Sequence, residues 1–177
     1  MGKRISILIA VTMLLTTGFQ QAKRKNDRTS WIEFSQERGA FSLMFPDKPT
    51  ERFFPHNTEK GPTRSPLYEV TKDDIKYSFT YMDYPFSVEE KERDKLLDMG
   101  AEAGITQVGG KVVSNAAISL NGYPGREVKG EMQGIVYRSR VYLVGQRIYF
   151  MIVWLPSSQP MSENATKFLE SFKLKVQ

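Results

Sequence analysis

Five side chains in the C-terminal third of the sequence have the types and spacing to do chemistry together: Arg138, Arg140, Tyr142, Arg147 and Tyr149. They lie in IVYRSRVYLVGQRIYFMIVW, residues 135–154, where Gly145-Gln146 separates two alternating runs. A two-residue, glycine-containing gap between such runs signals a hairpin. With that turn, Val144 stands opposite Arg147, Tyr142 opposite Tyr149 and Arg140 opposite Met151. Cross-strand partners point to the same side of a sheet, so all five residues share one face. A strip of guanidinium and aromatic groups suits anionic or aromatic ligands, by charge-assisted hydrogen bonds and cation–π contact. The competing expectation is structural: these long side chains cover the sheet beneath a helix or pair with Glu127 and Glu131. Arg126 alternates with Val128 and Met132, so it is expected to point toward apolar surroundings, where it must find an acceptor.

Other chemistry is constrained by what the sequence lacks. There is no cysteine, which removes a disulfide framework, a thiol nucleophile and cysteine metal sites. His56 is the single histidine; isolated in a proline-rich stretch, it reads as a surface residue. A Ser/His/Asp site needs a base beside its nucleophile, and there is no G-x-S-x-G elbow. Zinc wants several His or Cys ligands, which this chain does not supply. Residues 104–111 superficially resemble a phosphate loop, yet Ile105 stands five before Gly110 and Val112 stands where Ser or Thr belongs. Asp73-Asp74 reads as a charged hairpin turn, because calcium takes about six to eight oxygens from a contoured loop. Glu89, Glu90, Glu92 and Asp94 read as helix capping and a solvated face. No catalytic residue, metal ligand or cofactor is expected.

The elements that must position the strip follow from periodicity. Residues 31–35 (WIEFS) and 40–45 (AFSLMF) read as two short strands, closed by Pro46. Residues 50–66, with Pro55, Pro62 and Pro66, read as a long surface connection. Residues 67–84 make a hairpin that turns at Asp73-Asp74. A helix is expected from about Val88 to Glu102, with Ser87 and Glu90 as a capping box and Gly104 as its stop. Val88, Leu96, Met99 and Ala103 would face inward. A strand over 111–120 leads through an Asn121–Gly125 turn into three strands broken at Gln133-Gly134 and Gly145-Gln146. Ser162 caps a last helix in which Ala165, Phe168, Leu169 and Phe172 recur at helical spacing. The order is strands, helix, strands, helix with short turns, which implies an α+β layer sandwich with a mainly antiparallel sheet.

At 177 residues the chain fits one domain plus a removable or anchoring end. An apolar fraction of 40%, with 12% aromatic residues, suffices for a core. Lys3 and Arg4 precede an apolar run over residues 5–15, the expected pattern of a secretory signal and short of the roughly 20 residues a spanning helix needs. Cleavage after Gly18 or Ala22 is open, as is retention of residues 5–22 as an anchor. Lys23, Arg24, Lys25 and Arg28 oppose translocation. The division expected is 1–22 signal or anchor, 23–30 basic linker and 31–177 a single domain. Removing 1–22 takes Lys3 and Arg4 from a formal charge of +5, which leaves little case for nucleic acid.

The stretch FSLMFPDKP, the mid-chain helix, the strand–NGYPGRE turn, the RVYLVGQRIY hairpin and the ending FLESFKL together resemble the PsbP-like group, across roughly residues 31–176. That resemblance implies an α/β/α sandwich with two flanking helices. It also implies a non-enzymatic accessory or assembly factor that binds a larger complex, often at a membrane face; it transfers no ligand residue. The expectation is an exported protein, periplasmic or extracellular, that binds a protein partner and uses no cofactor. The alternative is a module that binds a small molecule or anionic lipid on the Arg/Tyr strip.

Overall fold

Period-two runs and two amphipathic stretches become ten strands and two helices among the residues that the computed structural model describes, 31–58, 61–84 and 87–175. The signal-or-anchor and basic-linker expectations for residues 1–30 lie outside the described residues. In order, the elements are β1 (Ile32–Gln36), β2 (Phe41–Phe45), β3 (Thr50–Thr58), β4 (Gly61–Lys72), β5 (Ile75–Asp83), α1 (Glu90–Thr106) and β6 (Lys111–Leu120). Then come β7 (Tyr123–Met132), β8 (Ile135–Val144), β9 (Arg147–Pro156), α2 (Glu163–Glu170) and β10 (Lys173–Leu174). A seven-stranded sheet has the order β3-β4-β5-β9-β8-β7-β6, and every pairing in it is antiparallel. Helix α1 covers one face of it. On the other lie α2 and a three-stranded sheet, β1-β2-β10. The architecture is an α+β sandwich of α/β/α layers, with the small sheet sharing one outer layer. None of the described helices is long and apolar enough to cross a membrane.

Strand alternation divides the core in two. On the α2 side, Phe41, Phe45, Tyr77, Phe79, Met151 and Phe168 are fully buried around a nest of aromatic contacts, with Phe41 4.3 Å from Phe79 between ring centres. On the α1 side, Leu97, Ala101 and Ile105 close over Val128, Tyr137, Val141 and Ile148. Fully burying one large apolar side chain contributes roughly 1.5–3 kcal/mol, so these two nests carry most of the favourable folding free energy.

Helix α1 departs from expectation in register and in both ends. It begins at Glu90 with Glu89 as N-cap and no side-chain cap. Ser87 Oγ instead accepts from Gln146 Nε2 at 3.2 Å. The inward positions are Leu97, Ala101 and Ile105, whereas Met99 is 60% exposed. Gly104 does not stop the helix. A Cβ there would lie 2.4 Å from the Tyr137 hydroxyl oxygen, and one on Gly100 would lie 3.1 Å from Ile148. These glycines are where the helix backbone comes closest to the sheet, and residues without side chains give no hydrophobic signal. The chain leaves α1 at Gly109, whose φ of 82° is in the glycine-favouring region, and Gly110 N–H donates to Ile105 O.

Residues 50–66 are not a loop: β3 and the outer part of β4 form a hairpin there, with Phe53 opposite Pro66 and Pro55 opposite Arg64. Proline is tolerated because β3 is an edge strand and β4 meets β5 only from Leu67 inward. The outer residues pair only with each other, as a two-stranded ribbon whose base still runs beside the end of β5. The turn after β6 is Asn121-Gly122 alone, and Pro124-Gly125 lies inside β7. A Cβ on Gly125 would sit 2.5 Å from the Tyr142 ring. Helix α2 does start at Ser162, whose side chain accepts from Ala165 N–H. It ends at Glu170, so the buried Phe172 follows the helix and leads into β10, a strand that the sequence reading lacked.

Arg126 fastens α1 to the sheet. It is 8% exposed and points with Val128 toward the helix. Its Nε donates to Asp98 Oδ1 at 2.6 Å and its Nη2 to Asp94 Oδ1 at 2.8 Å. Asn115 Nδ2 donates to Asp98 and to Glu102, which completes a polar seam along one side of α1. Replacing Arg126 with alanine is expected to cost about 1–2 kcal/mol, since hydrogen bonds to charged groups are worth more than neutral ones but Asp94 and Asp98 stay partly solvated. The urea midpoint should fall at constant slope. The hydrogen bond from Arg126 also holds the Asp98 carboxyl below the ordinary carboxylate range. A depressed folded pKa stabilises above the unfolded value, near 4, and that stability drains as pH falls through the folded pKa. Urea midpoints measured from pH 6 down to pH 2 should therefore fall less steeply for Asp98→Asn than for the wild type.

Candidate functional site

The β8–β9 register places Val144 opposite Arg147, Tyr142 opposite Tyr149 and Arg140 opposite Met151, so Arg138, Arg140, Tyr142, Arg147 and Tyr149 share a face. That face looks toward α2 and the small sheet, and its middle is closed. Tyr142 lies flat against Phe172, with ring centres 5.9 Å apart and planes 8° apart. Tyr149 is buried, and its hydroxyl donates to Gly39 O at 2.9 Å. The buried tyrosine pair separates the arginines into two groups.

On one side, Arg138 Nη2 and Arg140 Nε donate to the two oxygens of Glu127, at 3.1 and 2.8 Å. Arg140 also reaches Glu170 Oε1 at 3.4 Å. Two guanidinium groups thus share the Glu127 carboxylate, and the Nε of Arg138 is buried without an acceptor among the described residues. Glu131 joins neither arginine.

On the other side, Arg147 makes a two-point pair with Asp83, Nε to Oδ1 at 2.6 Å and Nη2 to Oδ2 at 2.7 Å. Its remaining nitrogen donates to Arg38 O at 2.9 Å, and its plane lies 4.8 Å from the Tyr81 ring centre. Together with the bond from Tyr149 to Gly39, this pins the β1–β2 turn onto the end of the sheet. Gly39 is needed there, because a Cβ would lie 2.3 Å from the Phe41 ring.

Beneath that turn is a cleft of about 470 Å3, walled by β3, β4, β5 and the start of β9. Arg147 is the one strip residue it contains. Its other polar groups are Gln36, Arg38, Glu51, Arg64, Ser65, Tyr68, Tyr81 and Asp83. Burial, with Glu51 as its hydrogen-bond partner, pushes the Tyr68 hydroxyl well above its usual pKa. Burial also raises Tyr81, with Arg147 and Arg38 pulling the other way. Both phenols therefore keep their protons at neutral pH. Asp83 holds the Arg147 guanidinium still further above its own usual range. Arg64 lies over the Phe53 ring, 4.6 Å from its centre. Neither Arg38 nor Arg64 has a carboxylate partner among the described residues. The cleft is rich in hydrogen-bond donors, and its carboxylates already have partners. Guanidinium groups without carboxylate partners are suited to binding anions.

Sequence reasoning missed this cleft because residues 50–66 read as loop. Recognising the hairpin would have put Phe53 and Arg64 on the face of Tyr68. A second charged cluster is structural: the buried Glu69 carboxylate is met by Arg52, Lys76 and Ser78, and burial lowers the pKa of Lys76. Asp73 and Asp74 form the β4–β5 turn, both at positive φ. His56 belongs to β3, opposite Thr63; its side chain lies outside the described residues. Among the described residues no group of His, Cys, Asp and Glu could hold a metal ion.

No protein-family model matches the sequence, and no curated protein does. Solved structures do. The solution structure of cyanobacterial PsbP (CyanoP) from Synechocystis is similar with a TM-score of 0.56, over 82% of this chain and 93% of that one, at 7% identity. The Ran-binding protein Mog1p of Saccharomyces cerevisiae is similar with a TM-score of 0.46, over 83% of this chain and 96% of that one, at 10% identity. The strand wording that resembled the PsbP-like group therefore corresponds to a real likeness of fold: this chain has a PsbP-like α/β/α architecture.

Proposed function

We propose that this protein is an exported, non-catalytic binding or accessory factor that serves another protein complex at or near a membrane. The observation that carries the reading is the rim of β3. Phe53 is 49% exposed there, on an edge strand whose outer side pairs with no described strand. Exposed aromatic side chains beside open strand backbone are the material of protein interfaces, through side-chain burial and through strand addition. The PsbP-like fold supports the reading as a scaffold. Export rests on Lys3, Arg4 and the apolar run over residues 5–15. Crosslinking of the tagged full-length protein in cells, with mass spectrometry of the adducts and of its own N-terminus, tests both parts. The expected result is one dominant, reproducible partner and an N-terminus beginning at residue 19 or 23, or intact and membrane-bound. Diffuse, irreproducible adducts would count against the accessory role, and an intact protein in the cytosol would count against export.

A second reading is favoured by the shared Glu127. Arg138 and Arg140 share Glu127, Arg140 also reaches Glu170, and Lys129 is exposed beside them, so three cations stand with two paired carboxylates on that rim. It suits the headgroup of an anionic lipid. Sedimentation with phosphatidylglycerol vesicles should fall severalfold for Arg138→Ala/Arg140→Ala, while phosphatidylcholine vesicles retain neither protein. Equal sedimentation of both proteins would remove the rim from consideration.

A further inference from the structure

The cleft beneath the β1–β2 turn holds two guanidinium groups with no carboxylate partner among the described residues, whereas most of the other described arginines have one. Arg126, Arg138, Arg140 and Arg147 all donate to carboxylates. Arg38 and Arg64 approach the same cleft from different layers, one from the turn of the small sheet and the other from β4. The same cleft is lined by Glu51, already accepting from Tyr68, and by the Asp83–Arg147 pair, already closed. The cleft therefore carries net positive charge. Its volume of about 470 Å3 is well above that of a single small ion and falls within the usual range of ligand sites, roughly 300–1,000 Å3.

The mouth of the cleft supplies the rest of the argument. Phe53 forms its rim from β3, with its ring sandwiched on one side by Arg64 and half open to solvent. The outer backbone of β3 is unpaired by any described strand. A free small anion would use the guanidinium groups and neither of these features. An extended polypeptide would use all three: backbone against β3, an apolar side chain against Phe53, and a carboxylate between Arg38 and Arg64. Planar guanidinium groups match carboxylates by two parallel hydrogen bonds, which gives geometry as well as charge.

We infer that this cleft is a recognition site for an acidic polypeptide segment, which docks in extended form along β3 with a Glu or Asp carboxylate held by Arg38 and Arg64. The inference rests on the accessory-factor reading and assigns that partner's chemistry. It is separate from the Arg138/Arg140 rim, from which the buried Tyr142 and Tyr149 divide it.

The test is fluorescence anisotropy of the full-length protein with a fluorescein-labelled octapeptide of alternating Glu and Val, and with the same peptide carrying Gln in place of Glu. Acidic-peptide binding is expected to be at least about tenfold tighter than Gln-peptide binding, and to weaken as salt rises. Arg38→Ala/Arg64→Ala should erase that difference with an unchanged melting temperature, since both side chains are at the surface of the cleft. Arg138→Ala/Arg140→Ala should leave it intact. Equal binding of the two peptides, absence of binding, or loss of binding only in the Arg138/Arg140 variant would overturn the assignment. Displacement of the peptide by an equal concentration of inorganic phosphate would also overturn it, making the cleft a small-anion site. Any of these failures leaves the crosslinking result standing, so the accessory role and this docking site are judged separately.

Discussion

The pairing of β5 with β9 is the constraint on which the molecule depends. It runs from Lys76 opposite Trp154 to Asp83 opposite Arg147 and joins two antiparallel meanders, β3–β5 and β6–β9, into one sheet. Each meander alone has turns that its own sequence specifies. Their union is non-local: Asp83 and Arg147 stand 64 residues apart in the chain, and the intervening α1 must cross from the sheet centre to its far edge. Such contacts are reached only after loop-closure entropy has been overcome, so this union is the natural slow step of folding. The Asp83–Arg147 pair closes the last register position. By also reaching Arg38 O, it fixes the small sheet to the large one. The cleft exists because that turn is held above the sheet at this point.

The arginines show how one residue type serves several layers. Arg126 faces α1, Arg147 faces the turn, and Arg138 with Arg140 faces Glu127 and the end of α2. In each case the head finds oxygen, and Arg147 also lies over the Tyr81 ring. Most of these groups are structural fasteners, which is why their number alone says little about ligands. The informative guanidinium groups are those left over.

What could be read from the sequence followed physical lines. The β8–β9 hairpin was legible because Gly145-Gln146 and strict alternation fix a register, and the register fixed the shared face of the strip. Whether that face met solvent was not legible. Its cover comes from Phe172, Gly39 and Glu170, which are distant in the chain or carry no pattern of their own. The inward side of α1 was misread because its contact line runs through Gly100, Ala101 and Gly104, where closeness replaces hydrophobicity. The β3–β4 hairpin was misread because three prolines normally argue against strand, and their tolerance depends on edge position, a property of the assembled sheet. The candidate cleft inherited that error, since Phe53 and Arg64 meet only once the hairpin is formed.

The projecting part of that hairpin alters the physical size of the molecule. Past Pro55 opposite Arg64 the ribbon runs on to Thr58 opposite Gly61, roughly 10 Å at about 3.3 Å per residue, and pairs with no third described strand. A two-stranded ribbon is marginal on its own in water, so this arm draws its order from the anchored end where Phe53 meets Pro66. It also enlarges the capture radius of the protein in a way that adds almost nothing to its buried core. For the docking proposed above, such an arm would meet a passing chain first, with Phe53 and Arg64 at its root.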